Sequence, residues 1–400
     1  MPQPSPFRDK HGLVKPPTRV VLSQPPLIGP ICRAIQVEKR RRMRYKLLGR
    51  SGLRVSEVCL GTMMMSTESP SSAGPEESRR ILEAFADRGG NYFDTANEVY
   101  SGGLSERILG EFVASERQRY VVTTKYTNTL HSGFDPSIRD HPNAGGNHKK
   151  SMVQSVEGSL KRLGVDYIDL LWIHFWDYST DIADVMRNVN DLVQQGKVLH
   201  FGLCNTPAWV VARGQTVADQ RGWEPISALQ YQYNLVSRDL ELEIIPCARA
   251  LGISVNAYSP LAGGFLTGKY TRGDRTESRR FDSEFFKQLT FQFDEKAYDT
   301  ARRVDEIADR LGTSSAAVAL AWVRDRGVLP MIGARKVSQI EDSLRYLSLT
   351  LPAEDMQALN EASAPVLPWT YHLLHGEDSR IRQLAAGGML DAIDNEHFPA

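Results

Sequence analysis

From Val58 onward the chain repeats one pattern eight times: a short apolar run followed by a longer segment of helical period. The runs are VCLG (58–61), YFD (92–94), YVVTTK (120–125), IDLLWIH (168–174), VLHFGLC (198–204), SALQ (227–230), SVNAY (254–258) and VLPMIG (328–333). Short, nearly continuous apolar runs suit strands buried on both faces of a parallel sheet. Between them Ile182, Val185, Met186 and Val189 share one helical face, as do Val304, Ile307, Ala308 and Leu311. Eight such units over about 300 residues predict an α/β fold, the (β/α)8 TIM barrel. A doubly wound sheet is the rival. It wants a GxGxxG turn after its first strand, and this chain has GTMMM there.

The barrel pattern occupies residues 44–365. Ahead of it, Arg44 to Val55 reads as a β-hairpin, with a turn through Gly49-Arg50-Ser51-Gly52. Residues 1–43 differ: eight prolines fall between Pro2 and Pro30, and a basic run, Lys39 to Arg42, closes the segment. Repeated proline defeats helices and sheet ladders, so a disordered Pro-rich and basic extension is expected. The basic run is either solvated charge or a targeting or anion-binding patch. Two long connections, Tyr126 to Lys150 and Leu261 to Asp294, follow strand ends. They are expected as long loops on the C-terminal face, where barrels build their sites. Residues 366–400 leave the pattern. This tail either folds over the mouth, bringing Trp369 or Tyr371 to a pocket, or forms a surface appendage.

The strand ends carry the chemistry. YFD ends in Asp94, and Tyr100 follows a few residues on; later strands end in Lys125, His174 and Asn205. Reducing a carbonyl requires a hydride on carbon and a proton on oxygen. A tyrosine, with a pKa near about 10, is a poor proton donor at neutral pH. A nearby ammonium stabilises the phenolate and lowers that pKa, and a carboxylate holds the ammonium charged. Taken singly, a lysine at a strand end is usually a surface residue and a lone histidine a satisfied core group. In this order and setting, Asp94, Tyr100, Lys125 and His174 resemble the catalytic tetrad of the aldo-keto reductases. The resemblance runs from near Arg44 to near Pro365. DLLWIHFWD and the GARKV segment look most like the branch related to aryl-alcohol dehydrogenases.

The resemblance implies an NADP(H)-dependent oxidoreductase that passes hydride between the nicotinamide and an aldehyde or ketone. Tyr100 is the implied proton donor, and His174 orients the carbonyl oxygen. One departure stands out. The family's FDTAxxY pattern sets the tyrosine five residues after the aspartate, whereas Asp94 and Tyr100 are six apart. A local bulge that restores the phenol to its place is expected. By the same resemblance Asn205 and Gln230 hold the nicotinamide carboxamide and Tyr258 stacks on its ring. Cys204 stands where the family has serine, which weakens one hydrogen bond. Ser259, Leu261 and Gly263 face the pyrophosphate, and Lys269 belongs to the downstream GKY motif. Gly333 opens the adenosine-phosphate segment. Arg335, with Lys336, meets a 2′-phosphate, and Gln339 and Asp342 face the adenine. Ser343 replaces a common asparagine. Two cations at 335–336 favour NADP(H) over NAD(H) and oppose the dipole at a helix start unless an anion offsets them.

Other classes fare worse. Formal net charge is +0, so no overall field draws nucleic acid or acidic membranes. The four cysteines are scattered, as in reduced cytosolic proteins, and a cytoplasmic location is expected. No apolar run reaches membrane-spanning length, and no HxH pair suggests a metal hydrolase. A small carbonyl compound is the expected partner, with Trp176 and Met63 to Met65 either lining an apolar substrate wall or packing in the core. The alternative is a redox-sensing regulatory subunit of the same fold, binding cofactor with little turnover. Oligomeric state is left open.

Overall fold

The computed structural model describes residues 43–67, 72–129, 141–272, 293–375, 380–389 and 392. Most of the expected extension, including Lys39 to Arg42, lies outside the described residues, as do large parts of both long loops and of the tail.

All eight expected runs form strands, and the strands close into a parallel barrel. In chain order these are β3 (Cys59–Gly61), β4 (Tyr92–Asp94), β5 (Val121–Tyr126), β6 (Ile168–Ile173), β7 (Val198–Cys204), β8 (Ile226–Gln232), β9 (Ser254–Tyr258) and β10 (Leu329–Ile332). Pairing is sequential around the ring, and β10 returns to β3 through Met331 opposite Cys59. The expected hairpin is β1 (Tyr45–Leu47) with β2 (Arg54–Ser56), antiparallel. It lies at the N-terminal ends of the barrel strands: the Gly49 amide donates to Ser254 Oγ at 2.7 Å. Met43, assigned from the sequence to the extension, is buried in the core.

The period of two is visible strand by strand. Cys59, Tyr92, Val121, Leu170, Trp172, Cys204, Ala228, Leu329 and Met331 point inward, and Leu48 and Val55 of the hairpin join them as a plug. The alternate residues point outward; Val122, Tyr126, Leu171, Ile173, Phe201 and Leu229 pack beneath the helices. Strands buried on both faces have no polar face to show, which is why they read as continuous apolar runs.

The helical faces also follow the sequence. In α4 (Ile182–Gln194) the side chains of Ile182, Val185, Met186 and Val189 are buried. In the helix Glu295–Leu311, Val304, Ile307 and Ala308 are buried and Leu311 is half-buried. Asp181 starts α4 by accepting from the Ala183 amide at 2.9 Å, and Asp294 does the same for Ala297 at 2.9 Å. In the tail, the helix Trp369–His375 meets the barrel where the Tyr371 hydroxyl donates to Glu243, at the start of α6 (Ile244–Leu251). Trp369 is exposed.

One interior contact fixes a residue choice. Gly202 of β7 lies opposite Trp172 of β6, and a Cβ there would come 2.4 Å from the indole and 2.8 Å from the Ala228 carbonyl oxygen. The indole is fully buried and has no room to retreat. Gly202→Ala is therefore expected to destabilise the barrel by about 1–3 kcal/mol through overpacking, read as a lowered denaturant midpoint. An unchanged midpoint would show that the interior yields.

Candidate active site

Asp94 closes β4 and accepts hydrogen bonds from two residues of the neighbouring strand and one across the barrel. Thr123 Oγ1 of β5 donates at 2.7 Å, Gln230 Nε2 of β8 at 3.1 Å, and Lys125 Nζ at the end of β5 contacts the second carboxylate oxygen. Lys125 also donates to the Thr95 carbonyl at 2.8 Å. The ion pair is almost wholly buried, at 1% and 2% exposure. Such a pair is tolerable only when both partners are otherwise satisfied, and here both are. Burial disfavours the ammonium, but Asp94 and then Tyr100 outweigh it, so the Lys125 pKa rises above its ordinary value.

Tyr100 lies on the open side of that ammonium. Lys125 Nζ is 5.3 Å from its ring centroid, and the His174 imidazole meets the ring edge-on, centroids 6.0 Å apart. The structure thus brings Asp94, Tyr100, Lys125 and His174 into one cluster. The charge balance differs from expectation in one respect. Burial dominates the Tyr100 phenol and raises its pKa, while Lys125 pulls it down without prevailing. The net shift is upward, not downward, because water is excluded. Tyr100 therefore holds its proton at neutral pH.

The extra residue between Asp94 and Tyr100 is taken up by a turn. The Tyr100 amide donates to the Asn97 carbonyl at 3.1 Å, and Asn97 Oδ1 accepts from the Val99 amide at 3.3 Å. Ser101, Gly102 and Gly103 then all take left-handed φ, at 55°, 61° and 79°. Glu98, inside the enlarged turn, accepts from Arg162 Nη1 at 2.8 Å. The same guanidinium donates through Nε to Glu106 at 2.5 Å, and Glu106 accepts from Thr124, next to Lys125, at 2.7 Å. Arg162 of α3 (Lys149–Leu163) thereby ties the turn bearing Tyr100 to the strand bearing Lys125.

Sequence reasoning missed this scaffold. Ser105 and Glu106 lie in the first turn of α2 (Leu104–Val113). Both side chains, however, turn inward. Ser105 Oγ lies 2.6 Å from Thr62 Oγ1 and 2.8 Å from Thr95 Oγ1, bracing the backbone around Asp94. The only available signal was a polar pair where a core-facing helix wants apolar residues.

The His174 amide donates to the Tyr126 carbonyl at 3.0 Å, which fixes the start of its loop. Burial first, and then Lys125, hold the imidazole pKa down to about 3, so the ring is neutral. Asn205 sits beside it at φ 44°, a left-handed conformation that asparagine tolerates. Its Nδ2 donates to the His174 carbonyl at 2.9 Å and its Oδ1 accepts from the Tyr258 hydroxyl at 3.0 Å. Asn205 is exposed and open to a ligand. Gln230 is buried, and its Nε2 donates to Asp94. Cys204 is buried, its thiol pushed well up by burial.

The loop after β9 carries the expected phosphate-facing residues. Ser259, Ala262, Gly263 and Gly264 have left-handed φ of 50°, 48°, 66° and 103°. Leu261, at φ −101° and ψ 16°, precedes Ala262. This right-then-left sequence resembles the backbone pattern that cups anions. Lys269 is half-buried in the same loop. Across the mouth Gly333 is exposed, and a Cβ there would meet only the Gly61 carbonyl, at 3.7 Å. Gln339 Oε1 accepts from the Arg335 amide at 2.8 Å, and Asp342 pairs with Arg345 at 3.6 Å. Ser343 is buried. The helix Val337–Ser343 already has an anion at its start, since Glu77 accepts from the Val337 amide at 2.9 Å. The case for Arg335 and Lys336 thus rests on their own charge and geometry, not on an unopposed helix dipole. Of the methionines, Met65 is core, while Met63 packs against Ala96, Val99 and Tyr100. Trp176 is buried beside the mouth.

Comparison with known proteins agrees with this geometry. The family model described as "Aldo/keto reductase family" matches residues 57–364. An aryl-alcohol dehydrogenase of Pestalotiopsis microspora is 36% identical over 330 residues, covering 80% of this chain and 82% of the relative. An aryl-alcohol dehydrogenase [NADP(+)] of Phanerodontia chrysosporium is 35% identical, covering 84% and 90%. A norsolorinic acid reductase of Aspergillus flavus is 35% identical, covering 80% of each.

The neutral imidazole generates a prediction. Its folded pKa, about 3, lies below the unfolded value of about 6.5. The stability it contributes is therefore present above pH ~6.5 and lost as pH falls toward the folded pKa. NMR of His174 should show no ring titration between pH 5 and 8; a midpoint inside that window would contradict the burial argument.

Proposed function

The chain belongs to the aldo/keto reductase family, and from that premise we propose an NADP(H)-dependent reductase that interconverts an aromatic or hydrophobic aldehyde or ketone with its alcohol, Tyr100 donating the proton. Membership of the family makes it an oxidoreductase that uses a nicotinamide cofactor and acts on small carbonyl compounds. The observation that carries the finer reading is the closed cluster of phenol, ammonium, carboxylate and neutral imidazole at the barrel mouth.

In this reading a carbonyl oxygen lies against the Tyr100 hydroxyl and the His174 ring. Bound NADPH supplies the hydride that carbon accepts. Tyr100 gives its proton to the developing alkoxide. The phenolate left behind is stabilised by Lys125, which Asp94 keeps charged. His174, being neutral, orients the oxygen without competing as an acid. Thr123 and Gln230 hold Asp94 in register, so Gln230 also acts by positioning Asp94.

The residues present fit the cofactor. The exposed Asn205 amide and the Tyr258 ring suit the nicotinamide, and the turn through Ser259, Leu261 and Gly263, with Lys269, suits the pyrophosphate. Gly333, Arg335, Gln339 and Asp342 suit the adenosine end, with the Arg335 guanidinium matched to a 2′-phosphate. The [NADP(+)] in one relative's name supports that choice. A cytoplasmic setting fits the free thiols of Cys59, Cys204 and Cys247.

Tyr100→Phe is expected to lower turnover of an aromatic aldehyde by roughly a thousandfold, the scale of lost general-acid catalysis, with NADPH affinity within a few-fold. Full activity would remove the donor assignment. Tight NADP(H) binding by the native protein with no turnover across a broad aldehyde panel would instead favour a redox-sensing regulatory subunit. Arg335→Ala should weaken NADPH about tenfold or more while sparing NADH; equal losses, read by calorimetry, would remove the 2′-phosphate role.

A further inference from the structure

His174 stands just past Ile173, the last paired residue of β6, so the sheet alone does not fix the chain that carries its ring. Two buried residues do, Thr127 and Asn147, which flank the connection after β5. Asn147 uses every polar group it has. Its main-chain amide donates to Asp177 Oδ2 at 2.7 Å, and its Oδ1 accepts from the Asp177 amide at 2.8 Å. Its Nδ2 donates to Thr127 Oγ1 at 2.8 Å and to the Phe175 carbonyl at 3.1 Å. Its own carbonyl accepts from the Tyr126 hydroxyl at 3.3 Å. Thr127 Oγ1 accepts in addition from the His174 amide at 3.3 Å. One hydroxyl and one side-chain amide thus grip the main chain at 174, 175 and 177. The asparagine is itself anchored, because the next residue, His148, caps α3 by accepting from the Ser151 amide at 3.3 Å.

Thr127 is strained. Its φ is 112°, a region that β-branched residues rarely enter and that glycine takes freely. A connection that needed only a turn would be better served by glycine; what threonine adds is the hydroxyl. The returning chain presses on it. The Gly146 amide donates to the Thr127 carbonyl at 2.7 Å, and a Cβ on Gly145 would come 2.7 Å from the same oxygen. Strain of this kind persists where surrounding contacts over-determine it, and it gathers at functional sites. Here it lies two residues beyond Lys125 and one hydrogen bond from His174.

We propose that Thr127 and Asn147 are positioning residues for His174: through the main chain of 174–177 they fix the direction of its imidazole against Tyr100 and the reacting oxygen. Neither residue touches the substrate in this scheme. The kinetic consequence rests on the proposed reductase activity; the geometric one does not.

Thr127→Val keeps the shape and the strain and removes the hydroxyl. With benzaldehyde and NADPH it should lower kcat by about tenfold or more, the scale of a misplaced reacting group, and leave the Kd for NADPH within about twofold. Thr127→Ser, which keeps the hydroxyl, should recover most of that loss. An undiminished kcat in Thr127→Val, or a loss that Thr127→Ser shares in full, overturns the proposal. The second readout needs no turnover. The His174 and Tyr100 rings meet edge-on with centroids 6.0 Å apart, so their ring protons should show a nuclear Overhauser contact in the native protein and in Thr127→Ser, and lose it in Thr127→Val. A contact that is missing from the native protein or survives in Thr127→Val overturns the proposal. Absence of native turnover with that pattern intact sinks only the reductase reading. Should Thr127→Val fail to fold, Asn147→Asp, equal in shape but without the two amide hydrogens, is held to the same kcat and Overhauser criteria.

Discussion

The site is organised around a single buried ion pair. Asp94 and Lys125 sit inside a ring of apolar strands where neither charge would survive alone, and each is made tolerable by groups fixed on the backbone. Thr123 and Gln230 donate to the carboxylate oxygen that Lys125 leaves, and the Thr95 carbonyl takes one ammonium proton. Closing the barrel is what brings those donors together: β4 and β5 are neighbours, while β8 lies across the ring. Removing either charge would strand the other in a medium that cannot solvate it. The pair therefore couples the chemistry of the mouth to the integrity of the fold beneath it.

The enlarged turn shows how such a site absorbs a change in chain length. One added residue before Tyr100 would displace the phenol if the loop were free to choose its path. It is not free. Asn97 folds back on Val99, Glu98 is held by Arg162, and three left-handed residues return the chain to α2. A Cβ on Gly103 would meet the Arg162 side chain at 2.4 Å, so glycine is what lets the guanidinium lie under the turn. The bracing reaches Glu106 and Thr124, and through them the strand that carries Lys125.

Much of this was legible in the sequence because it depends on periodicity. Strands buried on both faces must be apolar throughout, and the helices between them must be apolar on one face; both patterns can be counted. The four strand-end residues were legible by position, each falling where an apolar run stops. Side-chain direction was not legible. Ser105 and Glu106 stand at a helix start yet turn inward, Gln230 sends an amide hydrogen to Asp94, and Glu77 reaches a helix start 260 residues away in sequence. The Tyr100 pKa was misjudged for a related reason: sequence identifies the neighbouring cation but not how much water the fold removes.

The Asn205–Tyr258 hydrogen bond carries a thermodynamic implication. These two groups satisfy one another at 3.0 Å, and Asn205 is further tied to His174. A molecule that takes over either group exchanges one polar partner for another. The heat released at this corner should then be small, because as many bonds break as form. Affinity must then come from contacts elsewhere, while this corner contributes chiefly to orientation.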